Sequence, residues 1–151
     1  MPMTQLQFEI VNRYAREKSC NELLYAPLDS ALRARETRGY RFKFSGEVSA
    51  LHAFTHDVLS DSVSETVSEG EQPALSGYCF YIDVSLKPGC LDLEKEYILR
   101  FYRELENPGF TLEDLTIFHR YYLIGDDAVP SERFVKDLCN EAIQTSTVVN
   151  A

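Results

Sequence analysis

Between Gly77 and Lys87 the chain reads Gly-Tyr-Cys-Phe-Tyr-Ile-Asp-Val-Ser-Leu-Lys, and no other stretch constrains the fold as tightly. Tyr78, Phe80, Ile82, Val84 and Leu86 alternate with Cys79, Tyr81, Asp83 and Ser85. A period of two in β-branched and aromatic residues specifies a strand with one face on a core. Pro88-Gly89 closes it as a turn. Asp92 then caps a helix in which Ile98, Phe101 and Leu105 share one face, flanked by Tyr97 and Tyr102, until Asn107-Pro108-Gly109 stops it. The fold must therefore combine a sheet with packed helices.

Other segments extend this pattern. Tyr40, Phe42 and Phe44 alternate with Arg41, Lys43 and Ser45, which predicts a second strand with one apolar and one charged face. Leu6, Ile10, Val11 and Tyr14 recur at helical spacing behind Thr4, which predicts a first helix to about Lys18. Leu23–Leu28 suits a short edge strand or a turn. The polar run Leu28–Arg38 reads as a short helix capped by Asp29 or Ser30 and stopped by Gly39. Val48, Leu51, Phe54, Val58 and Leu59 form a helical stripe. Thr111–Asp114 reads as a brief turn before a strand at Leu115–Ile124. Pro130 and Ser131 open a last helix that buries Phe134, Val135, Leu138, Cys139, Ala142 and Ile143. Together these predict an α+β fold, a small three- to four-stranded sheet with helices mainly on one face, open to a ferredoxin-plait-like arrangement. Residues 1–144 read as a single globular domain with a mobile acidic loop at 60–75, and residues 145–151 as a flexible tail.

At 151 residues, with nine Tyr, nine Phe and 44% hydrophobic content, the chain has the size and apolar surface for one core. No apolar run reaches the roughly 18–20 residues of a membrane span, and Met1–Asn12 has no basic-then-apolar signal pattern. A cytoplasmic protein without membrane association is expected. Cys20, Cys79, Cys90 and Cys139 have no Cys-x-x-Cys spacing, so they read as reduced thiols. A net charge of −9 repels nucleic acid and anionic lipid at long range.

Catalytic signatures are sparse. His52 and His56 stand four apart, a spacing that can face one metal ion, but the glutamate of a His-Glu-x-x-His motif is missing and His119 is the only other histidine. Cys90 precedes a helix start, where the dipole favours a thiolate, yet Asp92, Glu94 and Glu96 oppose that. Gly125-Asp126-Asp127 with Asp83 has the composition of a magnesium site and equally of an ordinary turn. No glycine-rich phosphate loop or Gly-x-Ser-x-Gly elbow occurs. Neither a metal nor a cofactor is expected, and the balance leans away from an enzyme.

The most unusual local feature is basic, since five of the 15 Lys and Arg residues fall between Arg33 and Lys43. Arg38-Gly39-Tyr40 with Phe42 is partly similar to the aromatic sheet signature of RNA-recognition domains, whose rings stack bases. Arg41, Lys43 and Ser45 depart from that signature and its companion motif is missing, so the chain is not assigned to that family. Arginine and aromatic residues are also the types enriched at protein interfaces. The leading expectation is a non-enzymatic protein–protein interaction domain, an adaptor, inhibitor or regulatory subunit. Its candidate partner-binding residues are Arg35, Arg38, Tyr40, Arg41 and Lys43, facing an acidic partner surface. The alternatives are a small enzyme or ligand-binding domain built from dispersed residues, and RNA binding through the same strand. Self-association stays open.

Overall fold

Alternation of apolar and polar side chains governs far more of this chain than helical spacing does. The computed structural model describes residues 2–151. Seven strands form one antiparallel sheet: β1 (Thr4–Asn12), β2 (Lys18–Ser19), β3 (Arg33–Gly46), β4 (Glu65–Glu69), β5 (Tyr78–Leu86), β6 (Phe110–Ile124) and β7 (Gln144–Asn150). Three short α-helices interrupt them, α1 (Val48–Phe54), α2 (Leu93–Arg103) and α3 (Glu132–Leu138). The strand order is β4-β1-β3-β6-β5-β7, with β2 added to β3. At the centre β3 and β6 pair from Arg33↔Ile124 to Gly46↔Phe110, with one register shift between Lys43 and Phe44.

This seven-stranded antiparallel sheet overturns the expected three- to four-stranded sheet, and with it the ferredoxin-plait-like arrangement to which that expectation was open. Thr4–Asn12 is a strand because Leu6, Phe8 and Ile10 alternate with Gln5, Gln7 and Glu9, and the two sets face opposite sides. The polar run ending at Arg38 is strand from Arg33 onward, where β6 satisfies its backbone. Thr111–Asp114 lies inside β6 rather than in a turn. The acidic segment after Ser60 contains β4, and the segment expected as a loose tail pairs with β5 as β7.

All three helices pack on one face of the sheet. Phe8, Ile10, Tyr40, Phe42 and Phe44 meet Leu51, Phe54, Leu59 and Ile98 there, and Ala34, Phe80, Ile82, Val84 and Leu123 meet Cys20, Leu32 and Phe134. Burying each large side chain contributes roughly 1.5–3 kcal/mol, which makes this face the main apolar store of stability. α2 starts where Asp92 accepts the Lys95 N–H at 3.0 Å. The Tyr102 hydroxyl pins it to β6 by donating to Phe110 O and accepting from Leu112 N.

The opposite face is covered by a strap, residues 70–77, which must cross β1, β3 and β6 to lead from β4 to β5. Gly70 and Gly77 at its ends both have positive φ, 102° and 80°. Ala74 N–H donates to Glu9 Oε1 at 3.1 Å, and Tyr78 packs on Tyr81 and Tyr122.

Candidate partner-binding site

β3 is a central strand, so the five residues singled out on it divide between the two faces instead of forming one ribbon. Arg38 and Tyr40 point to the helix-covered face. Tyr40 is buried, and its hydroxyl receives Arg38 Nε at 3.0 Å and lies 3.2 Å from Glu94. Arg38 forms a two-pronged ion pair with Glu65 and donates to Leu59 O at 2.8 Å, tying β3 to β4 and to the turn after α1. That pairing holds the Glu65 carboxyl below the ordinary carboxylate range. Arg35, Arg41 and Lys43 point to the strap-covered face. Arg35 donates to Asn12 O at 2.9 Å while its Nε is buried without a partner. Arg41 donates twice to Gln7 Oε1 and lies over the Phe118 ring. Lys43 is exposed. Phe42 and Phe44 are in the core with Tyr40, so no ring on this strand is open to a base.

The strap-covered face also holds an ionic network. Glu9 and Arg120, only 1% and 2% exposed, pair at 2.7 Å, and Arg120 grips Asp83 through Nε and Nη2. Glu9 also accepts from Thr37, Tyr122 and the strap. The Arg120 guanidinium lies over the rings of Tyr81 and Phe118. Burial, followed by the bond to Glu9, raises the Tyr122 hydroxyl well above its ordinary range. Both carboxylate oxygens of Glu9 are engaged, so the network ties the strands of the sheet together. Its members come from β1, β3, β5 and β6, and no local motif announces them.

Among the other residues weighed for chemistry, His52 Nε2 lies 2.9 Å from Glu69 Oε2 and its ring meets Phe8 edge-on. Among the described residues no group of three or more His, Cys, Asp or Glu side chains is placed to hold a metal ion. All four cysteines are free. Asp127 accepts from Ser30 Oγ and Ala31 N, which ties its loop to the segment before β3.

A concavity of about 960 Å³ runs between α3 and the edge strand β7. Gln144, Ser146 and Val148 of β7 form one wall. Val135, Lys136 and Leu138 of α3, with Cys139, form the other, and Glu132, Asp137 and Glu141 add carboxylates. Among the described residues the edge itself is unpaired. Ala151 N–H donates to Cys79 O and Lys87 N–H donates to Ile143 O, so the odd-numbered residues turn their backbone groups to β5. Alternation in an antiparallel ladder then turns the N–H and C=O of Ser146, Val148 and Asn150 outward, along the cleft. No residue of β7 carries a charge, whereas the other edge, β4, has Glu at both ends. Sequence reading missed this site because residues 145–151 were expected to be loose. The run of Thr and Val in Thr145–Val149 is the signal that marks it as strand.

Compared with protein-family models, curated proteins and solved structures, the chain shows no significant match to any. Among the described residues, no helix is long and apolar enough to cross a membrane.

Proposed function

We propose that this chain is a non-enzymatic protein-interaction domain that accepts an extended segment of its partner as an added strand beside β7. The observation that carries this reading is the uncharged, unpaired β7 edge opening along the α3–β7 cleft. Strand addition draws its affinity from main-chain hydrogen bonds and its specificity from pockets beside the new strand. Ser146, Val148 and Asn150 supply the first, and the α3 wall supplies the second. Glu132, Asp137 and Glu141 against Lys136 favour basic side chains in the incoming segment. The arginines of β3, which suggested an acidic partner, are largely engaged inside the sheet.

Peptides selected from a randomised display library against the intact chain provide the probe. Bound peptide slows hydrogen exchange at the Ser146, Val148 and Asn150 amides. Val148→Pro removes an outward donor without touching the ladder to β5, so it leaves the fold intact and weakens binding by at least about tenfold. Peptides that bind Val148→Pro as tightly as the wild type, or that protect amides elsewhere, refute this reading.

A further inference from the structure

We infer that the chain also self-associates as a two-fold dimer through the exposed side of α2, the helices of two copies lying antiparallel. This surface lies apart from the α3–β7 cleft and does not depend on the strand-addition reading. Leu93, Tyr97 and Phe101 succeed one another at intervals of four, so they form one ridge along the helix, and Leu105 follows just past its end. Their exposures are 73%, 70%, 40% and 37%, and Leu91 just before them is 73% exposed. The helix meets the sheet with other residues, Ile98 and Tyr102. A contiguous apolar ridge of this kind on a monomer marks an association site rather than ordinary surface.

Beside the ridge, α1 and α2 enclose a shallow groove of about 320 Å³ lined by Ala53, Phe54, Val58 and Pro108 together with Phe101 and Leu105. Ridge next to groove is the form by which helices pack.

The charges select a second copy as the occupant. The first turn of α2 carries Glu94 and Glu96, and the last carries Arg100 and Arg103. Glu94 lies within reach of the Tyr40 hydroxyl and Glu104 pairs with Arg100 of its own helix at 3.6 Å, which leaves Glu96 and Arg103 as the charges at the solvent rim. An antiparallel pair centred between Tyr97 and Phe101 sets Tyr97 on the partner's Phe101 and Leu93 toward the end of the partner's helix, where the partner's Leu105 follows. It also brings Glu96 beside the partner's Arg103. Two-fold symmetry repeats each contact, and the opposed macrodipoles add to the match. A parallel pairing would set like charge against like.

Light scattering after size exclusion and sedimentation velocity on the full chain, across a concentration series, test the inference. The wild type gives a concentration-dependent dimer. Tyr97→Glu, or Leu93→Lys as a second disruption, weakens the dimer by at least about tenfold with an unchanged circular dichroism spectrum, because both side chains are largely outside the core. Glu96→Arg alone weakens association, and Glu96→Arg combined with Arg103→Glu restores it, which a purely apolar contact would not do. A wild type that stays monomeric throughout overturns the proposal. So does a dimer that survives Tyr97→Glu but is lost in Val148→Pro, since that places the contact at the β7 edge.

Discussion

The two faces of the sheet are held by different forces. The helix-covered face buries phenylalanine, leucine and isoleucine against α1, α2 and α3, and loses stability in proportion to the surface and volume removed. The strap-covered face buries Glu9, Arg120, Thr37 and Tyr122 in a network whose members satisfy one another. Apolar packing tolerates substitutions of similar volume, whereas a saturated ionic network tolerates none of its members leaving alone. The second face therefore contributes less to net stability than to fixing the register of β1, β3, β6 and β5.

The sharpest way to break that contrast is Arg120→Leu, which strands Glu9 and Asp83 with no cation between them. It costs about 3–5 kcal/mol in denaturant unfolding, and replacing Glu9→Gln alongside it recovers part of the loss. If Arg120→Leu costs under about 1 kcal/mol, water reaches the network and the contrast between faces collapses. On the other face, Leu51→Ala removes a fully buried side chain and costs about 3 kcal/mol, with no partner substitution able to compensate electrostatically.

Gly39→Ala is the third test, at about 1–3 kcal/mol. A Cβ there would sit 1.9 Å from the tip of the Phe118 ring, which is held between Arg41 and Arg120. Phe118→Ala should offset most of that cost in a double-mutant cycle, whereas additivity of the two substitutions would contradict the packing argument.

The smallest effect expected is acid sensitivity at the sheet margin. Arg38 depresses the Glu65 carboxyl, so this pair contributes stability above the ordinary carboxylate range and loses it as pH falls through the lowered value. Glu65→Gln should flatten the acid limb of the stability curve while leaving its neutral-to-basic part parallel to wild type. An unchanged acid limb would show that the pair forms equally in the unfolded chain.

How much of this was legible in the sequence follows from which face dominates each strand. β5 was plain because its alternation is uninterrupted, and α2 because Asp92 caps it. β1 carries the same alternation in Leu6, Phe8 and Ile10, but Val11 and Tyr14 add a helical spacing that competes with it. The first half of β3 looked like a polar helix because Arg35, Thr37 and Arg38 are engaged in contacts whose other members lie in distant strands. In β6 the register shift opposite Lys43 and Phe44 breaks the period of two between Leu112 and Leu115, so a bulge passed for a turn. The β3 residues proposed for partner binding were chosen for their chemistry, and only the position of β3 at the sheet centre reveals how many are already engaged. The β7 edge carried no charge or motif to draw attention, and that same blandness is what leaves it open.

The central ladder has a kinetic consequence. β3 and β6 make the longest pairing in the sheet, yet α1, β4, β5 and α2 all lie between them in the chain. Closing so large a loop must precede the contacts that reward it, which places this protein among slow, non-local folders on the millisecond-to-second scale. During synthesis at ~5–20 residues per second, the inner edge of β3 waits on the order of several seconds for β6 to emerge. Over that interval β1 can already pair with β3 and β4 with β1, so half the sheet stands with its central strand bare on one side. A trap for such intermediates, whether a ribosome-associated chaperone or a slower elongation rate, should raise the yield of this chain more than that of a helical protein of equal length.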